Sequence, residues 1–196
     1  MKKILSFIAF LIIICSTISK VHSIEADVFI QSVVNRAAKT LGGNFSKEER
    51  IKELKSIAKD TVDIDGLGFY SLGAFKKNLT EEQLYEYKKV FSKYFLKSFS
   101  SRLAEYSNPE IQVNSKKKLN DNYTMVSSVL IATEKRPEVK IDWRVSTKNP
   151  DNPLIMNLVI EGLSLARTQK EEFSSIIQSN DGDINALFET LKEFIK

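Results

Sequence analysis

The spacing of the apolar residues changes twice along this chain, and that change limits the fold more than any single motif. Between Ala26 and Tyr106 apolar positions recur every three or four residues, as on one face of a helix. Between Val139 and Ile160 they recur every second residue, as on one face of a strand, and beyond Gly162 the helical period returns. Helices that flank a run of strands predict an α+β fold, with the helices packed on a small antiparallel sheet.

The first helical segment carries Phe29, Val33, Ala37 and Leu41 four residues apart, widened by Val34 and Ala38 and stopped at Gly42-Gly43. Ser46 with Glu49 reads as a capping box, and Ile51, Leu54, Ala58 and Val62 continue a second helix behind it. From Val62 to Phe75 glycine punctuation predicts a short or broken helix. Thr80 with Gln83 opens the longest run, in which Leu84, Phe91, Phe95, Phe99, Leu103 and Tyr106 share one helical face until Asn108-Pro109.

Val139, Ile141, Trp143 and Val145 then alternate with Lys140, Asp142, Arg144 and Ser146. Leu154, Met156, Leu158 and Ile160 alternate in the same way, and Asn149-Pro150-Asp151-Asn152-Pro153 supplies turn chemistry between the two strands of a hairpin. Tyr123 to Thr133 is apolar on both parities and reads as an inner strand covered on both faces; Glu110 to Asn114 is a further strand candidate. Thr168 with Glu171 reads as a third capping box ahead of Phe173, Ile176 and Ile177, and a last helix from about Asp183 carries Leu187, Leu191, Phe194 and Ile195.

The amino terminus has a different character. Met1-Lys2-Lys3 precedes an apolar run from Ile4 to Ile14, too short for a comfortable membrane span, which is the pattern of a cleavable secretory signal; cleavage is expected after Ser23. An uncleaved anchor is the competing reading. Cys15 follows the bulky Ile14, so it lacks the small neighbour that lipid attachment needs. Residues 24–196 then form a single domain, long enough for one core but not two.

Removal of the signal also removes Lys2, Lys3 and Lys20, so 29 basic residues become 26 against 25 acidic ones and the formal charge falls from +4 to +1. A balanced chain lacks the cationic surplus that displaces counterions from a nucleic acid. The only cysteine and the only histidine, Cys15 and His22, lie in the same segment. Cysteine nucleophiles, disulfides, thiolate or imidazole metal sites and histidine-based triads are thereby excluded, which leaves carboxylates, Lys, Tyr and Ser for any catalysis.

The charged motifs have plain structural explanations. Asp181, Asp183 and Asn185 mimic the start of a calcium loop, but Ala186 stands where the turn needs glycine and Lys192 where a bidentate Glu belongs, so Asp183 reads as an N-cap. Asp63 and Asp65 are two apart, do not face each other on a helix, and read as turn or capping residues. Asn44, Asn78 and Asn122 open Asn-x-Ser/Thr patterns, read as chance because Ser46 and Thr80 already serve as caps. Lys116-Lys117-Lys118 reads as a solvated loop, with a contact for anionic head groups or an acidic partner as the sharper alternative. The strongest signal is aromatic: ten of the seventeen aromatic residues beyond Ser23 lie between Phe69 and Tyr106. Such a stripe is ordinary core by default, yet rings packed by a curved sheet also suit a pocket for a long apolar ligand.

Several of these segments, taken in order, resemble the MlaC-type (toluene-tolerance) periplasmic phospholipid-binding proteins. The resemblance rests on Leu72-Gly73-Ala74-Phe75, on Leu79-Thr80-Glu81-Glu82-Gln83 with the aromatic helix to Tyr106, on Ile160-Glu161-Gly162-Leu163-Ser164-Leu165, on Phe173, and on Gly182-Asp183-Ile184-Asn185-Ala186-Leu187. It departs at Leu154-Ile155, where Trp-Lys is usual, at Asn157, where Asp is usual, and at Trp143, where Tyr is usual. The resemblance implies an exported periplasmic carrier that moves phospholipid between outer and inner membranes. Its implied partners are an outer-membrane lipoprotein complex and an inner-membrane ABC transporter with an MCE-domain subunit, with no cofactor and phospholipid as cargo. An apolar cavity is then expected between the aromatic helix and the sheet, lined by Leu72, Phe75, Phe91, Phe95, Phe99, Val129, Ile131, Ile141, Trp143, Met156 and Leu158. The rival readings are a ligand-free adaptor and an enzyme on a cone-shaped α+β fold with Asp63 or Glu161 as base, the latter weakened by the missing histidine.

Overall fold

The computed structural model describes residues 24–134 and 136–196. The signal-peptide reading of residues 1–23, with Cys15 and His22, falls outside the described residues. The elements in order are helices α1 (Ala26–Gly42), α2 (Lys47–Thr61) and α3 (Ile64–Ser71), a 3-10 turn (Phe75–Asn78), helix α4 (Glu81–Leu103), strands β1 (Ile111–Asn120), β2 (Tyr123–Leu130), β3 (Val139–Ser146), β4 (Leu154–Ile160) and β5 (Leu163–Ser164), then helices α5 (Leu165–Gln178) and α6 (Ile184–Ile195). The strands form one antiparallel meander in the order β1-β2-β3-β4-β5, so the α+β expectation holds. Among the described residues, no helix is long and apolar enough to cross a membrane.

The helix starts follow side-chain chemistry. Ser46 and Thr80 both accept from the backbone N–H three residues on, and Glu49 and Gln83 return the bond, so both capping boxes form as the sequence predicts. Asp63 caps α3 by accepting from Gly66 N–H, and Asp183 caps α6 by accepting from Asn185 N–H. The third box does not form. Helix α5 starts earlier, at Leu165, with Ser164 as its cap, because Asn157 Oδ1 on β4 accepts from Ala166 N–H and Asn157 Nδ2 donates to Ser164 Oγ. Thr168 therefore lies inside the helix.

Two more expectations are corrected. Helix α4 stops at Leu103, short of Asn108-Pro109, so Tyr106 packs against the core from outside the helix. The lysine run is not a loop: Lys116, Lys117 and Lys118 belong to β1, paired with Val126, Met125 and Thr124. As the outer strand of the sheet β1 can carry charge, and lysines there discourage pairing with another chain.

Most of the buried apolar side chains fall into two clusters. The first packs α1 and α2 on one end of the sheet, around Ile30, Val33, Leu54, Ile57, Val126, Val145 and Ile155. The second is all helical, with Leu72, Tyr87, Val90, Phe91, Phe173, Ile177, Leu187, Phe188 and Leu191 drawn from α4, α5, α6 and the chain just beyond α3. Helix α4 spans both, giving Tyr87, Val90 and Phe91 to the second, while Leu103 and its C-cap Ala104 reach the first.

Candidate functional site

Which strand residues share a face follows from the register. Directly opposed residues of an antiparallel pair project to the same side. Val126 opposes Trp143 and Ser128 opposes Ile141, while Trp143 opposes Leu158 and Ile141 opposes Ile160. The inner face thus carries even-numbered β2 residues together with odd-numbered β3 residues. The first cluster covers the end of this face marked by Val126, Val145 and Ile155. Leu130 and Ile141, near the other end, are buried but belong to neither cluster, and Leu158 and Ile160 beside them are only half-buried.

Trp143 stands at the boundary. It packs on the rim of the first cluster, and its indole N–H donates to Ser128 Oγ at 2.8 Å, whose hydroxyl donates in turn to Ile141 O at 3.2 Å. The polar edge of the ring is thereby satisfied within the sheet, and its apolar surface stays on the inner face. On α4, Phe95 and Phe99 lie between the residues the helix gives to the two clusters. Their rings stack at 5.5 Å and 11°, and both remain half-buried. The closest backbone packing of α4 is with α2, α6 and α3 rather than with any strand.

Each expected lining residue can now be placed. Ile141, Trp143 and Leu158 share the inner face, and Phe95 and Phe99 sit on α4 between the clusters. Leu72 and Phe91 are sealed in the second cluster, with Phe75 and Phe95 packed against it. Met156 is the extra residue of a bulge, since Val145 pairs with Ile155 and Arg144 with Asn157, and it is half-buried. Val129 is a correction. It opposes Lys140 and Gln112, so it lies on the outer face with Ser127 and Asp142, whose hydroxyl and carboxylate bond at 2.6 Å. Ile131, of the same parity, lies past the end of β2 with its N–H donating to Glu110 O. Alternation gives the parity of each strand alone; the relative parity of two strands is set by their register. Leu130 and Ile160 join the candidate set, and their signal was the alternation itself, once paired correctly.

The charged groups near this stretch serve the backbone. Asp63 caps α3, and Glu161, at φ +49° in the turn before Gly162, accepts from Lys140 N–H. Both carboxylates offered as bases for an enzyme are thus held in structural roles. Tyr94, on α4, is pushed above its ordinary phenol range by burial and by Glu172, while a hydrogen bond to Gln169 opposes the shift. A shallow hollow of about 510 Å3 lies elsewhere, on the outer face of α1 along Val28, Gln31, Ser32, Asn35, Arg36 and Lys39, and none of the expected lining residues borders it. An apolar face without convergent ionisable groups can enclose hydrocarbon but offers little for bond-breaking chemistry.

The profile of the family described as MlaC protein matches residues 30–193. This chain belongs to the MlaC family. The solved structure of a phospholipid-binding protein from Ralstonia solanacearum, in complex with a phospholipid, has the same fold, with a TM-score of 0.72 at 20% identity, covering 88% of this chain and 97% of that one. No curated protein matches the sequence. The helices on a five-stranded antiparallel sheet are therefore the fold of an MlaC-family member.

Proposed function

We propose that this MlaC-family protein is a periplasmic phospholipid carrier, exported through a signal peptide at residues 1–23 and folded as one domain over residues 24–196. The acyl chains lie in the apolar stretch between Phe95 and Phe99 of α4 and the inner face at Leu130, Ile141, Trp143, Leu158 and Ile160. Supporting this reading is the division of the core: two clusters are filled, and the apolar side chains between them are left half-covered. The similar fold from Ralstonia solanacearum holds a phospholipid.

The energetics explain why a carrier is needed. Two chains of about sixteen carbons hold roughly 25 kcal/mol of transfer free energy at about 0.8 kcal/mol per CH₂, so free passage through water is prohibitive. Family membership supports the remaining steps of the proposal: movement of lipid between outer and inner membranes in an Mla-type system, with an outer-membrane lipoprotein complex at one side and an inner-membrane ABC transporter with an MCE-domain subunit at the other. Native mass spectrometry of the protein purified from the periplasm, followed by organic extraction, tests the reading. One two-chain phospholipid per protein is expected. A lipid-free protein that also takes up none from vesicles overturns the carrier and leaves a ligand-free adaptor.

A further inference from the structure

We propose that the carboxyl end of α3 and the turn after it form a docking surface for an anionic membrane, built from Phe69, Tyr70, Lys76 and Lys170. The inference rests on the carrier reading for why this protein meets a bilayer, and on the patch itself for where.

Helix α3 buries Gly68 and Ser71, with Leu72 at its C-cap, and packs Ile64 and Leu67 against the second cluster. Its outward face falls to Asp65, Phe69 and Tyr70, and ordinary patterning gives polar side chains to all such positions. Phe69 and Tyr70 are instead aromatic, 41% and 48% exposed, so two adjacent rings project from the surface. The chain then reverses at Gly73, whose φ is +58°, and brings Lys76 back with Nζ 4.3 Å from the centre of the Phe69 ring. From α5, Lys170 reaches Tyr70, with Nζ 5.7 Å from the ring centre. The Lys170 stem lies along Gly73, where an added Cβ would meet its Cε at 2.9 Å. Three segments thus converge on one array of rings and ammonium groups.

Asp65, on the same face of α3, is engaged by Lys88 at 3.7 Å, which leaves the lysines of the array in excess. Among the described residues Lys76, Lys77 and Lys170 pair with no carboxylate. The nearby acids of α5 are engaged elsewhere, Glu171 with Arg167 at 3.4 Å and Glu172 with Gln169 Nε2 at 2.9 Å. The lysine run of β1 differs: Lys116 is held by Glu25 and Asp27 at 2.8 Å each and Lys118 by Asp121 at 2.8 Å, so two of its three charges are paired. Exposed rings beside unpaired ammonium groups match the interface of a bilayer, where rings sit at head-group level and lysines meet phosphates. Leu72 and Phe75, on either side of Gly73, belong to or pack on the second cluster, so docking here would set the aromatic end of the molecule against the membrane.

Sedimentation with vesicles tests this, using phosphatidylcholine alone and phosphatidylcholine with one-third phosphatidylglycerol, at low and at moderate salt. The wild-type protein is expected to partition onto the anionic vesicles at low salt, to be released by salt, and to ignore the neutral ones. Each lysine near an anionic surface contributes about fivefold in partitioning, so Lys76→Gln with Lys170→Gln is expected to lose on the order of twentyfold. Phe69→Ser with Tyr70→Ser is expected to weaken binding to the anionic vesicles at low salt, and unchanged binding removes the rings from the surface. Equal partitioning of wild type and the lysine variant, or no partitioning of wild type onto anionic vesicles at low salt, overturns the proposal. Lipid extracted from the same variants separates the two readings: docking lost with lipid retained is a property of the patch, whereas lipid-free wild type that still docks removes the carrier and leaves the surface.

Discussion

The hydroxyls of Tyr87 and Ser71 lie 3.0 Å apart in the interior, each within bonding distance of the Gly68 carbonyl, at 3.0 and 2.9 Å, so two protons are shared over three contacts. One buried polar knot therefore ties α4 to α3 within the second cluster, with the Tyr87 ring stacked on Phe91 and Phe188. Removing the phenol oxygen leaves Ser71 and the backbone to satisfy Gly68. Tyr87→Phe is accordingly expected to cost about 1 kcal/mol, the net worth of a buried hydrogen bond, read as a lower urea midpoint with unchanged slope.

The same burial sets an alkaline limit on stability. Desolvation pushes the Tyr87 phenol well above its ordinary 10.0, with the Ser71 hydrogen bond only partly opposing, and burial raises Tyr94 as well. The folded protein therefore keeps protons that the unfolded chain releases above about pH 10. The stability due to these tyrosines is fully present below that pH and falls as pH rises beyond it. Urea midpoints measured between pH 8 and 11 should drop on the alkaline side, and Tyr87→Phe should flatten the drop. An unaltered alkaline limb in that variant would assign the loss to other groups.

Gly68 also packs tightly against α4. A Cβ there would stand 2.6 Å from Phe91 Cδ1, and Phe91 is itself locked among Tyr87, Tyr94, Phe95 and Phe173. Alanine would gain up to about 1 kcal/mol in helix propensity, yet overpacking against a ring that cannot move costs about 1–3 kcal/mol. Gly68→Ala should therefore destabilise on balance, and adding Phe91→Leu should recover part of the loss. The two changes measured in a double-mutant cycle should be strongly non-additive.

Asn157 shows how a departure from the family pattern is accommodated. Its amide bridges Ser164 Oγ at 2.9 Å and Ala166 N–H at 3.0 Å, tying β4 to the first turn of α5. Asn157→Ala should cost about 1 kcal/mol, as the loss of a helix cap does. Asn157→Asp keeps the acceptor for Ala166, lets the Ser164 hydroxyl donate, and adds a negative charge at a helix amino terminus. It should match or exceed the wild-type stability, by up to about 1 kcal/mol at low salt, read as a urea midpoint. A drop as large as that of the alanine variant would mean that the amide donor to Ser164 is the essential half of the contact.

Local chemistry was legible in the sequence wherever one residue decides the outcome. Ser46 with Glu49, Thr80 with Gln83, Asp63 and Asp183 all start helices as their side chains dictate, because a cap closes within three residues. Thr168 with Glu171 satisfies the same pattern and is overridden by Asn157, which lies on the strand before the helix, outside the span of a local cap, and fixes the start of α5 from β4. The Lys116 to Lys118 run hid β1, since an outer strand may be polar on both faces and then shows no alternation. The candidate site suffered most from register. The parity of each strand was evident, yet Val129 and Trp143 were joined on one face when pairing sets them on opposite ones. Residues of α4 were easier, because 3.6 residues per turn places Phe91, Phe95 and Phe99 along one stripe without reference to another segment.

That opposition of faces yields the most direct test of where the cargo lies. Leu158 opposes Trp143 on the inner face and is half-buried, whereas Val129 opposes Lys140 on the outer face. Tryptophan at position 158 would fill space beside Trp143 and Ile141, and if acyl chains occupy it, each excluded CH₂ forfeits about 0.8 kcal/mol of shielding. Leu158→Trp should lower extracted phospholipid at least severalfold while the circular dichroism spectrum and melting temperature change little. Val129→Trp, of the same bulk on the other side of the sheet, should leave lipid content at the wild-type level. Equal loss from both variants would place the effect in sheet stability rather than in occlusion, and loss from Val129→Trp alone would move the cargo to the outer face.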